Sequence, residues 1–231
     1  MRLIQKMKIA LGVHLISSAT GRWHPKYATE AYQHSHISFS QFGEDLAVAS
    51  ILQSMDHQGP VSYLDIGCFK PIQYSNTYFF YARGGSGIAV DLNETHRKEF
   101  ERLRPRDQFI PALVSNSPHP LQVTANGMFN DKVARDKSPQ AGNWVQPKTL
   151  ADLLDTHWPK DKQIALLDVD CEGHDLEVLK SNNWTKYRPK VVLVEDFSNE
   201  EVSAVEVFLQ EVGYRKIARL RCAVFFVEAA S

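Results

Sequence analysis

The most informative segment of the chain is Val61-Ser62-Tyr63-Leu64-Asp65-Ile66-Gly67, an apolar run with an acidic residue near its end. Its length and apolar character predict a buried β-strand, and Gly67 allows a tight backbone turn after it. A second run of this kind, Gly87-Ile88-Ala89-Val90-Asp91, also ends in an acidic residue. Between the two runs, Asn76–Arg83 has helical periodicity. The three segments together predict a βα unit of a parallel sheet.

The same alternation of short apolar runs and amphipathic stretches continues along the chain. It predicts an α/β fold, a mostly parallel sheet with helices on both faces. A hairpin of Tyr214–Leu220 and Arg221–Glu228 is expected to add an antiparallel edge strand, and Gly43–Met55 has the apolar stripe of a helix. The other predicted strands are Gln108–Val114, Gln163–Val169 and Val191–Glu195, and the other predicted helices are Glu94–Leu103, Thr149–His157, Asp175–Ser181 and Asn199–Val212.

Composition limits the classes of protein to which this chain can belong. Its 231 residues, 43% of them hydrophobic, suffice for the core of one domain or of two small ones. Lys and Arg number 26 against 27 Asp and Glu, so the formal net charge is −1. This balance excludes a broad positive surface for nucleic acid or for an anionic membrane. The cysteines, Cys68, Cys171 and Cys222, are odd in number and far apart, which argues against a disulfide framework and favours the cytoplasm.

The N-terminal part and the irregular middle of the sequence predict the domain organisation. Residues 1–60 are expected to form a helical segment that packs on a core domain, residues 61–231. Met1–Ser18 favours a short helix over a secretory signal, because Lys8 and His14 interrupt its apolar run and no small-residue cleavage site follows. That run is too short to span a bilayer, so no integral membrane span is predicted. At about residues 116–148, four prolines and little apolar pattern predict a mobile insertion.

Acidic residues at strand ends indicate where a ligand would bind, because ligands of open parallel sheets bind beyond the carboxyl ends of the strands. Asp65 and Asp91 are at two such ends. Either alone would usually be a cap or turn residue, but the pair favours a nucleoside whose ribose hydroxyls bind Asp91. A dinucleotide needs G-x-G-x-x-G, whereas the turn Gly67-Cys68-Phe69-Lys70-Pro71-Ile72 has one glycine and a proline without an N–H. A nucleoside without phosphates, such as S-adenosylmethionine, suits this turn better.

Several short motifs, taken in order, resemble those of the FkbM-type S-adenosylmethionine-dependent methyltransferases. The resemblance extends from about Ser40 to Asp196, and it implies the class I methyltransferase fold with a seven-stranded sheet. The chain departs from the family at Cys68, where a small Ala is usual, and at Phe69-Lys70-Pro71, which lacks a further glycine. The matching motifs are Ser40-Gln41-Phe42-Gly43-Glu44-Asp45, Tyr63-Leu64-Asp65-Ile66-Gly67, Ser75-Asn76-Thr77, Gly87-Ile88-Ala89-Val90-Asp91, Thr149-Leu150-Ala151-Asp152-Leu153-Leu154, Asp168-Val169-Asp170-Cys171-Glu172-Gly173 and Leu176-Glu177-Val178-Leu179.

The resemblance implies roles in cofactor binding for seven residues. Asp65 and Gly67 would line the turn beneath the methionine and the ribose, and Asp91 would bind the ribose hydroxyls. Ser115, after the third predicted strand, would lie near the adenine. The remaining three, which either reach over the cofactor or only start a helix with charges that favour its dipole, are Gln41, Glu44 and Asp45.

A second group of acidic residues predicts the reactive end of the site. Asp170 ends the fourth predicted parallel strand, and Glu195 and Asp196 end the fifth, so their carboxylates are expected to converge. Three such ligands would suit Mg²⁺ or Mn²⁺, which would lower the pKa of a substrate hydroxyl; alternatively, they serve a helix N-terminus and a buried network. His174 is a possible general base, although a single histidine in a loop is more often a surface residue. Glu172 is expected either to bind substrate or to order the loop.

Three functions from different classes remain open on the sequence alone. The leading hypothesis is a methyltransferase that uses S-adenosylmethionine to methylate a hydroxyl of a sugar or of another small-molecule acceptor. The second is a non-catalytic binding module on the same fold, and the third is an NAD-dependent oxidoreductase. The retained Asp65, Gly67, Asp91 and Asp170 argue against the second, and the missing pyrophosphate turn argues against the third.

Overall fold

The computed structural model of the chain describes residues 36–123 and 143–229. The predicted helix within Met1–Ser18 and most of the predicted insertion lie outside these residues. The described residues from Ser38 onward belong to one compact unit. The predicted domain boundary after residue 60 stays a prediction.

Six α-helices and nine strands are formed by the described residues. The helices are α1 (Glu44–Ser54), α2 (Tyr78–Tyr81), α3 (Arg97–Leu103, after a 3₁₀ turn at Glu94–His96), α4 (Leu150–His157), α5 (Asp175–Lys180) and α6 (Ala204–Glu211). The strands are β1 (Ser62–Ile66), β2 (Ser86–Asp91), β3 (Gln108–Pro111), β4 (Leu121–Val123), β5 (Asn143–Val145), β6 (Leu166–Val169), β7 (Val191–Glu195), β8 (Tyr214–Leu220) and β9 (Ala223–Glu228).

Seven of these strands form one sheet in the order β3-β2-β1-β6-β7-β9-β8. The pairs from β3 to β7 are parallel, and β9 pairs antiparallel with both β7 and β8. The strand order reverses beside β1, because β2 and β3 lie on one side of it and β6 and β7 on the other. The predicted α/β fold, with its mostly parallel seven-stranded sheet and its antiparallel edge, is confirmed.

Both faces of the sheet are covered, which explains why its central strands are continuous apolar runs. Alternate residues along a strand point to opposite faces. On one face, Leu64, Leu167 and Val192 pack with apolar residues of α4, α5 and α6. On the other face, Tyr63 and Leu166 pack with apolar residues of α1 and α2. The carboxyl ends of β1, β2, β6 and β7 are thereby held at one edge of a rigid sheet.

Two element boundaries differ from those that the sequence predicts. β3 ends at Pro111 rather than at Val114, and Val114 instead forms an isolated parallel bridge with Lys148. Proline has no N–H for the sheet, so a strand interior is unfavourable for it. Helix α6 begins at Ala204 rather than at Asn199, because the Ser203 hydroxyl caps it by accepting a hydrogen bond from the Glu206 N–H at 3.1 Å.

Outside the main sheet, β4 and β5 form an antiparallel pair. Leu121 lies opposite Val145, and Val123 lies opposite Asn143. Among the helices of residues 36–123 and 143–229, none has the length and the apolar composition that crossing a membrane requires.

Candidate active site

A cleft of about 460 Å³ lies at the carboxyl ends of β1, β2, β6 and β7. This is the edge at which ligands of open parallel sheets bind. The cleft brings together most of the site residues that the sequence predicts, from five separate parts of the chain. The predicted residues that line it are Gln41, Glu44, Asp65, Gly67, Asp91, Asp170, Glu172, His174 and Glu195.

The turn after β1 brings the backbone of two strand ends into direct contact. Gly67 has φ +88°, and a Cβ added to it would lie 1.8 Å from the carbonyl oxygen of Asp170. The N–H groups of Gly67 and Cys68 both donate to the Val90 carbonyl, at 2.8 and 3.1 Å. The next N–H, of Phe69, donates to Asp91 Oδ2 at 2.9 Å. All three N–H groups after β1 are therefore bonded within the chain, so they do not form a phosphate-binding loop.

Asp91, the last residue of β2, is oriented by two backbone groups. Its Oδ2 accepts from Phe69 N–H, and its Oδ1 accepts from Asn93 N–H at 2.7 Å. Burial raises the pKa of Asp91, whereas these two hydrogen bonds oppose the rise. A carboxylate oxygen has more than one acceptor position, so both oxygens can still accept hydrogen bonds from the two hydroxyls of a ribose.

Asp65 is buried at the tip of β1 and turned towards a polar network within the protein. Its carboxylate accepts a hydrogen bond from the Thr77 hydroxyl and lies 3.9 Å from an Nη atom of Arg104. Burial raises the pKa of Asp65 to about 6, although the Arg104 charge and the Thr77 hydrogen bond act in the opposite direction. Arg104 was missed in the sequence, because nothing in the pattern Arg104-Pro105-Arg106-Asp107 indicates burial.

Asp168 and Asn76 are two further lining residues to which sequence reasoning assigned no role. Asp168 of β6 is the register partner of Asp65 of β1, and the Asn76 amide donates to Asp168 Oδ1 at 3.2 Å. Burial raises the pKa of Asp168 well above its ordinary value, and the neighbouring Asp65 and Asp170 raise it further. Asp168 could have been identified from its spacing of two residues from Asp170, because this spacing places both side chains on one face of a strand.

Asp170 and Glu195 meet at the ends of β6 and β7. The Asp170 side chain is exposed to the cleft, and its N–H donates to the Ile66 carbonyl of β1 at 2.9 Å. Burial raises the pKa of Asp170, and the neighbouring Glu195 opposes that rise. Burial, followed by the charge of Asp170, raises the pKa of Glu195 to about 8, so Glu195 is protonated at neutral pH.

The loop from Asp170 to α5 contains the other two predicted catalytic residues. Glu172 is exposed and has a positive φ of 52°, and His174 is buried at the N-cap position of α5. Both line the cleft. The loop is shaped by Asp175, whose two carboxylate oxygens accept from the N–H groups of Cys171 and Gly173 at 2.8 and 3.0 Å. Asp175 was not identified in the sequence, where it is the first residue of a helix.

Two of the predicted cofactor residues do not line the cleft. Asp45 is completely buried, and its carboxylate accepts from Ser38 Oγ at 2.6 Å and from Phe39 N–H at 2.7 Å. It therefore fastens the chain that precedes α1. Ser115 is also completely buried, because the chain leaves the sheet at Pro111, and its N–H donates to the Lys148 carbonyl at 3.0 Å. The cleft is lined there by Ala112, Leu113 and Val114 instead.

Glu44 and Gln41, by contrast, lie at the cleft next to α1. Gly43 precedes the helix with φ +94°, and Glu44 is a buried residue of the first helical turn. One Glu44 oxygen accepts from Phe42 N–H at 2.8 Å, and Gln41 is exposed. Glu44 therefore both begins α1 and lines the cleft.

The expected metal site has a different geometry in the structure. Asp196 is buried, and its Oδ1 accepts from Ser198 N–H at 2.9 Å, so it does not join Asp170 and Glu195 in the cleft. Within the two described ranges, no group of three or more His, Cys, Asp or Glu side chains could hold a metal ion. The predicted ligand set of Asp170, Glu195 and Asp196 is therefore not formed, and we derive no step from a metal.

The sheet order and the position of the cleft define the fold and the ligand-binding edge of a class I methyltransferase. The sequence matches the methyltransferase FkbM domain over residues 65–216, about two thirds of the chain. The chain belongs to this family and is a methyltransferase. The predicted resemblance to the FkbM-type enzymes is confirmed, and the alternatives of a binding module and an oxidoreductase are set aside.

Among solved structures, the fold is similar to that of Burkholderia thailandensis 1,6-didemethyltoxoflavin-N1-methyltransferase, with bound 1,6-didemethyltoxoflavin and S-adenosylhomocysteine. The two chains are 11% identical, the match covers 98% of this chain and 90% of the other, and the TM-score is 0.42. None of the curated proteins matches the sequence.

Proposed function

We propose that this protein transfers the methyl group of S-adenosylmethionine to a hydroxyl of a sugar or of another small metabolite. The charge of the cleft carries the proposal. Seven of the described residues that line it are acidic, although Glu195 is protonated at neutral pH, and none is Lys or Arg. S-adenosylmethionine has a positive sulfonium and a positive ammonium group, which such a cleft attracts. The seven acidic residues are Glu44, Asp65, Asp91, Asp168, Asp170, Glu172 and Glu195.

The shape of the cleft fits a nucleoside cofactor. Its volume of about 460 Å³ is in the range of small-molecule sites. Asp91 is available for the ribose hydroxyls, and the apolar Leu113 and Val114 line the same cleft where an adenine would extend past β2. Gly67 leaves the backbone at the turn without a Cβ, so a ligand can approach it closely.

The same features argue against a dinucleotide. A pyrophosphate needs free backbone N–H groups after β1, but those of Gly67, Cys68 and Phe69 are bonded to Val90 and Asp91. The acidic lining would also repel two phosphates. The cleft therefore favours a cationic nucleoside over NAD.

Asp170 is the residue that we assign to the acceptor. When bound, S-adenosylmethionine supplies an electrophilic methyl group on a positively charged sulfur. The Asp170 carboxylate is exposed to the cleft at the end of β6, where it can orient the acceptor hydroxyl and take its proton. A protonated Glu195 beside Asp170 can donate a hydrogen bond to its carboxylate, which opposes the rise that burial causes in the pKa of Asp170. His174 is the second candidate base, and the exposed Glu172 is a candidate for contact with the acceptor.

The proposal is tested by calorimetry with S-adenosylmethionine, S-adenosylhomocysteine and NAD. We expect both sulfur nucleosides to bind and NAD not to bind. Asp91→Ala should weaken binding about tenfold or more, because hydrogen bonds to a charged group contribute roughly 1.5–3 kcal/mol. Asp155→Ala is the matched control, because Asp155 is exposed and bonds Lys186 and Tyr187 away from the cleft. Absence of binding by either sulfur nucleoside would refute the proposed cofactor.

The acceptor is identified in a separate measurement. The protein is incubated with a pool of metabolites and S-adenosylmethionine that carries an isotopic label in its methyl group. We expect mass spectrometry to find the label on a hydroxyl oxygen of a sugar or of another small compound. A labelled nitrogen would contradict the O-methylation while leaving the cofactor assignment intact.

A further inference from the structure

We propose that Arg104 is a positioning residue for the cofactor cleft. It fastens residues 68–77, which connect β1 to α2, to the first two strands of the sheet. The inference rests on the proposed function only in taking the cleft as a site for S-adenosylmethionine. Arg104 itself does not line the cleft, so it acts through the residues that it holds.

Residues 68–77 form one side of the cleft but contain no helix or strand. Two of them, Phe69 and Tyr74, have positive φ angles of 47° and 59°. Such angles are unfavourable for residues with a Cβ, and they persist only when the surrounding structure enforces them. The side chains of both residues are exposed, at 46% and 56%, so packing of these two rings does not supply the constraint. The lining residues of this segment are Cys68, Phe69, Tyr74, Ser75 and Asn76.

The guanidinium of Arg104 contacts the segment at three places. Its Nη1 donates to the Pro71 carbonyl at 3.3 Å and to Ser75 Oγ at 3.2 Å. Its Nη2 donates to Thr77 Oγ1 at 2.8 Å. Arg104 is completely buried, so solvent does not compete for these bonds. One side chain thus binds the middle and the end of the segment.

The other side of Arg104 is anchored in the sheet through Asp107. Arg104 Nε donates to Asp107 Oδ2 at 2.6 Å. Asp107 in turn accepts from the Tyr63 hydroxyl of β1 at 2.9 Å and from the Gly87 N–H of β2 at 2.9 Å. Arg104 and Asp107 therefore connect residues 68–77 to β1 and β2, the two strands whose ends bear Asp65 and Asp91.

Lysine cannot replace this arginine. The guanidinium presents five N–H donors in a fixed plane, and Arg104 uses donors on all three nitrogens in different directions. An ammonium group is a point charge at the end of a flexible stem, so it can retain the pair with Asp107 but not the contacts to Pro71 and Thr77 together. Arg104→Lys therefore keeps the positive charge beside Asp107 but removes the hydrogen bonds that position residues 68–77.

The test compares Arg104→Lys with Arg106→Lys in the full chain. Arg106, two positions away, donates to the Gly85 and Tyr81 carbonyls and makes no hydrogen bond to residues 68–77. The two readouts are the Kd for S-adenosylhomocysteine and amide hydrogen exchange in residues 68–77. We expect Arg104→Lys to raise the Kd about tenfold, a loss of about 1.4 kcal/mol, and to accelerate exchange in the segment. Arg106→Lys should change neither by more than about twofold.

A merely structural role would lower the melting temperature of Arg104→Lys and leave the Kd of the folded variant unchanged, and that result would overturn the inference. If Arg104→Lys does not fold, Thr77→Val and Thr77→Ser decide. Val removes the hydroxyl that joins Arg104 to Asp65, whereas Ser retains it. Weaker binding in Val with recovery in Ser supports the inference, and equal binding in both overturns it. If the unaltered protein does not bind S-adenosylhomocysteine, the proposed cofactor is wrong, and hydrogen exchange alone tests the positioning.

Discussion

Gly67 shows how a single residue shapes the cleft. Its left-handed backbone turns the chain at the end of β1, and its missing Cβ lets the carbonyl of Asp170, the residue after β6, approach. Any side chain there would meet backbone rather than a flexible side chain, so the neighbour cannot move away without disturbing β6. This one position therefore joins the turn beneath the cofactor to the reactive end of the site.

Gly67→Ala is expected to abolish binding of S-adenosylhomocysteine and to lower stability strongly. The substitution adds the cost of a left-handed non-glycine residue, roughly 1–2 kcal/mol, to a clash with the Asp170 carbonyl. Gly59→Ala is the matched control, because Gly59 has φ +80° but nothing within 4 Å of an added Cβ. It should lose about 1 kcal/mol of stability and keep its affinity. The measurements are urea unfolding and calorimetry, and equal effects of both substitutions would contradict the role of the close approach.

Single residues were predictable when their position in a strand revealed them. Asp65, Gly67 and Asp91 were identified because each follows or ends an apolar run, and all three line the cleft. Arg104 could not be identified, because a buried charge depends on partners from distant parts of the chain. Asp45 was misassigned for the same reason, since only the fold shows that its carboxylate is used by the chain before α1.

At the level of elements, the start of α5 organises the loop that bears the predicted catalytic residues. Asp175 accepts two backbone N–H groups of that loop while it is buried beneath it. Burial raises the pKa of Asp175 to about 7 from an ordinary value of 3.8, although the two hydrogen bonds oppose the rise. The loop is thus held by a carboxyl group whose ionisation lowers the stability of the folded state.

The raised pKa of Asp175 makes stability depend on pH. The folded state binds a proton here more tightly than the unfolded state, so the stabilising contribution is complete below about pH 4 and is lost as the pH rises towards about 7. Asp175→Asn cannot titrate, so its stability relative to the unaltered protein should increase between these values, by at most about 1.4 kcal/mol per unit of pKa shift. Urea unfolding at a series of pH values measures this difference. Asp152→Asn, at an exposed position in the first turn of α4, should show no such trend, and a flat difference for Asp175→Asn would refute the prediction.

Elements were predicted well where hydrophobic periodicity alone determines them. The seven strands of the main sheet and the helices between them lie where the alternating pattern places them. The errors concern the first or last residues of strands and helices, because individual side chains determine these boundaries. Pro111 ends β3, and the Ser203 cap begins α6. The shorter β3 also explains why Ser115 was expected at the cleft and is not there.

For the molecule as a whole, strand order determines which side chains meet. β6 and β7 are neighbours, so Asp170 and Glu195 shift each other's pKa although they are far apart in the sequence. The convergence of these two residues was expected, but the rotation of Asp196 towards Ser198 was not. Asp196 follows the last residue of β7, and its hydrogen bond from the Ser198 N–H holds its carboxylate outside the cleft.

Glu195→Gln is expected to change the alkaline side of the pH profile. The pKa of Glu195 is about 8, so above that pH it loses the proton that it donates to Asp170, and two charged carboxylates then face each other. For the unaltered protein, kcat/KM should therefore fall above about pH 8. An amide donates at every pH, so in the variant this fall should disappear or move to higher pH. Glu200→Gln, an exposed change in the loop after β7, is the control. An identical alkaline fall in all three proteins would contradict a role for the Glu195 proton.

The sequence alone determined the α/β class, the family and the strand ends that bear the site. Hydrophobic periodicity and turn residues are local properties, and a backbone with few allowed conformations converts them directly into strands and helices. Only the tertiary structure decided which polar groups face the cleft, which carboxyl groups have a raised pKa and which buried arginine supports residues 68–77. Those properties depend on distances between residues remote in sequence and on exclusion of water, and spacing along the chain encodes neither.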